Sequence, residues 1–155
     1  MSTGLHHGML VTRVPLSHSL GIDLQYPDAI DRSKVGDYTA MTKSGGGYFF
    51  DQVLEYRVWC HPERGAPDDA DGDDYYYSFA TRDEAVAFSD ATDGAEVPLV
   101  LIRQLEWVNE PTPGVYTHER GERITEWQME WLLDGPRTPG AIEKFIASKH
   151  GAVGR

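Results

Sequence analysis

Three polar side chains stand where strands are predicted, and their types suit group-transfer chemistry. Arg57 lies in YFFDQVLEYRVWCHP, Ser78 in DYYYSFAT and Glu126 in ERITEWQMEWL. A guanidinium can hold a carboxylate or phosphate through two hydrogen bonds, and a carboxylate can act as a general base. If neighbouring strands bring the three to one cleft, Ser78 and Glu126 are the catalytic candidates and Arg57 binds substrate. The alternative is a solvated cross-strand Arg–Glu pair that contributes little.

Three further side chains are candidates for substrate binding. The alternation of a strand places His61 on the face that carries Arg57. Tyr77 comes directly before Ser78, and Trp127 directly follows Glu126. Aromatic rings such as these can line a groove for a flat ligand, although four tryptophans in a small chain are more typical of a core.

The charge of the chain is concentrated in its middle third. The 155 residues carry a net charge of −11, and residues 51–100 contribute −10 of it. The densest part is APDDADGDD, at 66–74, which Pro67 and Gly72 mark as a loop. Its acids fail the EF-hand pattern, which needs Gly and Glu at fixed later positions. The sequence therefore predicts no metal site there; the alternative is a low-affinity surface cation site formed by Asp69, Asp71 and Asp73.

Composition excludes several classes of protein. The acidic balance disfavours nucleic acid and anionic membranes as partners, because phosphate contacts need Lys and Arg. The single cysteine, Cys60, excludes an internal disulfide framework. Neither a secretory signal nor a run of ~20 apolar residues is found, so we expect a cytoplasmic protein. The motifs GxxxxGK[ST], GxGxxG, HExxH and GxSxG are absent.

The order of predicted elements indicates an α+β fold. We expect a single domain with a mainly antiparallel sheet of about five to six strands, covered by two helices at 82–92 and 139–149. Thr81 and Glu84 form a capping box for the first helix, and Gly121 marks the turn of a late hairpin. Residues 1–47 are predicted as an irregular N-terminal segment and residues 48–150 as the α+β core domain.

Two stretches of sequence resemble a group of short proteobacterial proteins. They are LEYRVWCHPERGAPDDADGDDYYYSFATRDEAVAFSDAT and ITEWQMEWLLDGPRTP, within residues 48–146. Members of this group are sometimes labelled GCN5-related N-acetyltransferases. The resemblance implies a bacterial origin and acetyl-CoA as a cofactor.

A second resemblance lies in the order of motifs. Tyr56-Arg57, then Tyr77-Ser78, then Glu126 follow the Arg–Ser–Glu order of ADP-ribosyltransferase-like folds. That resemblance implies that Arg57 and Ser78 position NAD and that Glu126 activates the nucleophile. The sequence thus predicts a small-molecule, nucleotide-like cleft and a transferase with NAD or acetyl-CoA. The alternative is a non-enzymatic acidic interaction module whose 68–74 loop binds a basic protein.

Overall fold

The computed structural model describes residues 26–39, 42–43 and 48–153 of the chain. Within them lie five strands: β1 (Thr42–Lys43), β2 (Gln52–Cys60), β3 (Tyr75–Phe79), β4 (Leu99–Thr112) and β5 (Val115–Gln128). The helices are α1 (Arg82–Ala91) and α2 (Ala141–Val153). Short 3-10 turns span Arg32–Lys34, Pro62–Arg64 and Met129–Asp134. Most of the segment 1–47, predicted as irregular and with a short strand at GMLVTRV, falls outside the described residues.

The strands form one curled sheet, a half-barrel, in the order β1-β5-β4-β2-β3. All the long strands pair antiparallel, and the two-residue β1 runs parallel to β5. The prediction of a single α+β domain with a mainly antiparallel sheet is confirmed. Four long strands take the place of the five to six expected.

The strand count differs because Gly121 does not make a turn. β4 and β5 are joined at Pro113-Gly114, and β5 runs through Gly121 without reversing. The register shifts beside Gly121, where Gln104 pairs with Arg123 but Glu106 with Arg120. The predicted hairpin at Gly121 is therefore wrong: the glycine, with φ at +131°, lies at a bulge inside one strand.

One face of the sheet is the apolar core. Tyr56, Val58 and Cys60 of β2 lie there, fully buried, with Phe79, Val100, Ile102 and Trp127. Helix α1 covers this face with Ala85 and Phe88, and the Phe88 ring packs at 5.3 Å from the rings of both Tyr77 and Phe79. Helix α1 begins at the predicted capping box, because Thr81 Oγ1 accepts from the Glu84 N–H at 3.1 Å.

The other face of the sheet is also covered, and this determines where the polar side chains lie. Residues 26–39 wrap round the end of the sheet, since Tyr26 packs against the apolar core while the Gly36 N–H reaches Glu55 on the opposite face. Their backbone bonds to Val53 and Ala80 hold this segment in place. Both faces of β2 are therefore buried, although its side chains alternate between apolar and polar.

Candidate functional site

Arg57, Ser78 and Glu126 meet on the polar face of the sheet. Arg57 and Ser78 are directly paired across β2 and β3. The Arg57 Nη1 group donates to Glu126 Oε2 at 3.0 Å. All three side chains are buried, so the expectation of a solvated Arg–Glu pair is wrong: residues 26–39 exclude water from this face.

Glu55 is the residue that joins them, and sequence reasoning missed it. Its Oε2 accepts from Arg57 Nε at 2.7 Å and from Ser78 Oγ at 3.0 Å. Its Oε1 accepts from the Gly36 N–H at 2.7 Å. The available signal was its spacing, because a residue two before Arg57 in a strand shares its face. We call Glu55, Arg57, Ser78 and Glu126 the Arg57 cluster.

The guanidinium of Arg57 is held from several directions. Besides its two carboxylate partners, Nη2 donates to the Tyr38 carbonyl at 3.0 Å. Its Cζ atom lies 4.3 Å from the centre of the Tyr76 ring, a cation–π contact. These contacts engage the guanidinium within the protein. Arg57 therefore does not present two N–H groups to a substrate, as the sequence had suggested.

A cleft of about 260 Å³ lies beside the Arg57 cluster. Its lining combines the segment at 36–39 with the ends of β2 and β3: Gly36, Tyr38, Thr39, Trp59, Asp74, Tyr75, Tyr76 and Ser78. Several of these residues bond to the cluster or to each other. Trp59 Nε1 donates to Glu126 Oε2 at 3.0 Å, and the Tyr76 hydroxyl donates to the Tyr38 carbonyl at 3.3 Å. The walls of the cleft are therefore held by partly buried polar contacts.

Two predicted substrate-binding residues lie on the wrong face of the sheet. Tyr77 and Trp127 neighbour Ser78 and Glu126 in sequence, and alternation turns them to the apolar core. Tyr77 packs on Phe88, while Trp127 packs edge-on against Phe50 at 5.8 Å. Neither contributes to the cleft, and both are corrections to the sequence-based set.

His61 belongs to a second polar group, just beyond the end of β2. Its Nε2 is hydrogen-bonded to Glu96, and its Nδ1 lies 2.9 Å from Asp74 Oδ1 and 3.9 Å from Glu63 Oε2. The hydrogen bond to Glu96 raises the pKa of His61, and Asp74 adds to this shift. We call His61, Glu63, Asp74 and Glu96 the His61 group. It adjoins the cleft through Asp74 but does not touch the Arg57 cluster through any contact described.

The predicted cation ligands of the acidic loop do not come together. Asp69 accepts from the Tyr77 hydroxyl at 3.0 Å, and Asp68 accepts from the Gly72 N–H at 2.5 Å. Asp71 has a left-handed backbone with φ at +54°. Among the residues described, the ligand-type atoms that cluster are those of His61, Glu63 and Asp74. The suggested site at Asp69, Asp71 and Asp73 is thus corrected, because the carboxylate oxygens of these three residues do not gather within 4.8 Å of one another.

Known proteins give no match to this chain. No protein-family model matches it, and neither a curated protein nor a solved structure does. In the part of the chain that the structure describes, no helix is long and apolar enough to cross a bilayer. The two family resemblances therefore stay predictions.

Proposed function

We propose that this chain is a binding protein for a small, planar, positively charged molecule, and that the cleft beside the Arg57 cluster is its site. The observation that carries the proposal is the lining: three aromatic residues, Tyr38, Trp59 and Tyr76, border one small volume on the polar face of the sheet. Ligand pockets are mostly aromatic and apolar with a few fixed polar groups. A wall fixed before binding reduces the entropy that binding must overcome.

The size of the cleft limits the ligand to one or two rings. At about 260 Å³ it lies just below the usual range for small-molecule pockets, roughly 300–1,000 Å³. Either NAD or acetyl-CoA would have to leave most of its atoms outside. The described lining also holds no Lys or Arg, so a pyrophosphate would meet an acidic rim at Asp74 rather than a cation.

Charge favours a cation. With both carboxylates ionised, the Arg57 cluster holds two negative charges and one positive charge, which leaves an excess negative charge behind the cleft wall. The faces of aromatic rings also attract cations, by ~0.5–2 kcal/mol per contact. Arg57 already lies over the ring of Tyr76, so Trp59 and Tyr38 are the rings we assign to the ligand.

Binding is better supported than group transfer. The Ser78 hydroxyl already donates to Glu55, and Glu126 Oε2 already accepts from both Arg57 and Trp59. A nucleophile needs a base that accepts its proton and a reacting atom within reach. In this cluster the same contacts hold the walls in place. A transferase that uses Ser78 and Glu126 is therefore the second candidate function for this site.

The proposal is tested with two ligands that share a ring and differ in charge. Tyramine is a cation, and 4-hydroxyphenylacetate is an anion of nearly the same shape. We expect tyramine to bind at least fivefold more tightly in ligand-observed NMR and calorimetric titrations. Thr39→Phe places a ring in the cleft at an exposed position and should weaken tyramine binding about tenfold.

Thr112→Phe is the matched control, because Thr112 is exposed at the far end of β4. It should leave the affinity unchanged, and neither variant should shift the unfolding midpoint. Equal affinity for the two ligands, or tyramine binding that ignores Thr39→Phe, would show the proposal to be wrong.

The acidic interaction module is the other candidate, and one observation favours it. Asp68, Asp69, Asp71, Asp73 and Asp74 are all exposed on one loop. A basic partner would bind there mainly through charge, so the affinity for poly-lysine would fall steeply with added salt. Tyramine held in the aromatic cleft should be much less sensitive to salt, and this separates the two functions.

A further inference from the structure

His61 is held rigidly at the edge of the acidic loop. Its N–H donates to the Gly94 carbonyl at 2.9 Å, and its carbonyl accepts from the N–H groups of Arg64 and Ala66. The imidazole is nine-tenths buried. Backbone contacts on both sides therefore fix the main chain from which the ring extends, and the ring itself is held by its side-chain partners.

The two ring nitrogens of His61 have different surroundings. Nε2 is hydrogen-bonded to the Glu96 carboxylate, which only an N–H can satisfy, so Nε2 carries a proton. Nδ1 is buried and makes no hydrogen bond. Asp74 Oδ1 is close, at 2.9 Å, but that contact lacks hydrogen-bond geometry. In the neutral ring, the lone pair of Nδ1 therefore faces carboxylate oxygens with nothing positive between them.

We propose that His61 Nδ1, Asp74 and Glu63 bind one divalent transition-metal ion of the zinc class. The three ligand atoms all lie within 4.8 Å of one another. Zinc bonds nitrogen and carboxylate oxygen at about 2.0–2.2 Å. The side chains of Asp74 and Glu63 are 44% and 62% exposed, so they can rotate to reach such distances. A fourth position would face solvent and take water or a ligand.

Glu96 is a positioning residue in this site. Histidines that bind metals nearly always donate their other N–H to a carboxylate or carbonyl, which fixes the tautomer and the ring plane. Glu96 does this for His61. The imidazole ligand also separates this site from calcium and magnesium sites, whose ligands are oxygens.

The experiment is a calorimetric titration of the full untagged chain with ZnCl₂, with CoCl₂ as a spectroscopic probe. We expect one zinc ion per chain, and a visible cobalt spectrum of the four-coordinate type. Asp74→Asn and Glu63→Gln should each weaken zinc binding at least tenfold. Glu96→Gln should weaken it by about 10–100-fold, because outer carboxylates have effects of that size.

Two controls separate this site from other sources of metal binding. Asp73→Asn removes the same charge from the neighbouring position and should change the affinity less than twofold. His6→Gln with His7→Gln removes the paired histidines of the N-terminus and should also leave it unchanged. If zinc does not bind at micromolar concentration, or if Asp73→Asn matters as much as Asp74→Asn, the site does not exist. The cleft is tested separately, because Thr39→Phe alters none of the proposed ligands.

Discussion

The Arg57 cluster and the His61 group place a basic side chain among carboxylates, four residues apart on the same stretch of chain. They differ in burial and in hydrogen bonding. The carboxylates around Arg57 are 0% and 3% exposed, and they meet its N–H groups at 2.7 and 3.0 Å. Those around His61 are 39–62% exposed, and one ring nitrogen makes no hydrogen bond. We infer that the first group holds the structure and that the second is built to bind.

Of the changes predicted here, removal of the Arg57 side chain should lower the free energy of unfolding the most. We expect Arg57→Met to lower the free energy of unfolding by about 3–5 kcal/mol, because Glu55 and Glu126 would remain buried without their cation. Chemical denaturation measures this change. Arg32→Met is the control: Arg32 pairs with Asp28 and both side chains are exposed, and losing such a pair costs under about 1 kcal/mol. Equal losses in the two variants would show that the buried pairs of Arg57 contribute no more to stability than an exposed pair does.

The backbone beneath His61 offers the next largest effect. A Cβ on Gly94 would lie 2.3 Å from Ala66 N and 2.8 Å from the His61 carbonyl, and φ is +77°. We expect Gly94→Ala to cost about 3 kcal/mol, from the left-handed backbone and the overpacking together. It should also weaken zinc binding, because His61 would be displaced.

Gly114→Ala is the matched control for that prediction. Gly114 has φ at +84° with nothing within 4 Å of the added Cβ, so only the backbone cost of about 1 kcal/mol applies. Differential scanning calorimetry of the two variants isolates the contribution of the clash. If the two variants have the same melting temperature, the backbone beneath His61 accommodates the added Cβ more easily than these contacts indicate.

The smallest effect concerns an ion pair outside both groups. His118 Nε2 lies 2.7 Å from Glu106 Oε1, and this contact, with Arg137 and Arg120, lowers the pKa of Glu106 below its usual 4.5. A carboxylate with a lowered pKa in the folded state adds stability above pH 4.5 and loses it as the pH falls through the folded value. Carboxyl NMR titration should find a midpoint below 4.5, and His118→Gln should raise it. A midpoint unaffected by His118→Gln would contradict the assignment.

Local sequence signals predicted some of the fold well. The capping box at Thr81 predicted the first turn of α1 because that contact joins residues three positions apart. The tyrosine-rich run predicted β3 because aromatic residues favour strands. The predicted turn at Gly121 was wrong because a glycine with positive φ is typical of a bulge as well as of a turn. The alternation of β2 is also interrupted: its register with β4 shifts between Val53 and Glu55, so that Val53 lies in the apolar core with Tyr56 and Val58.

The site was less accessible to sequence reasoning, for a physical reason. The alternation of side chains along a strand assigns each residue to one face of the sheet, and on that basis the sequence could group Arg57 with Ser78. It could not tell what covers a face, and here the covering comes from backbone groups at Gly36 and Tyr38 in an irregular segment. Nearly every residue has the same backbone N–H and C=O groups, so residue types do not show which backbone groups will cover a face. For the same reason the sequence suggested a cleft on this face but not that Gly36, Tyr38 and Thr39 would line it.

The Arg57 cluster also has a consequence for the order of folding. The bonds from Glu55 to Arg57 and Ser78 span 2 and 23 positions, whereas the bond from Arg57 to Glu126 spans 69. Contacts between near positions close small loops and form early, and distant ones form late. The Trp59 ring already packs on Tyr76 of the neighbouring β3, but its indole N–H gains its partner only when Glu126 arrives with β5. The Trp59 wall of the cleft is therefore completed late, and conditions that detach β5 should loosen this wall while β2 and β3 remain paired.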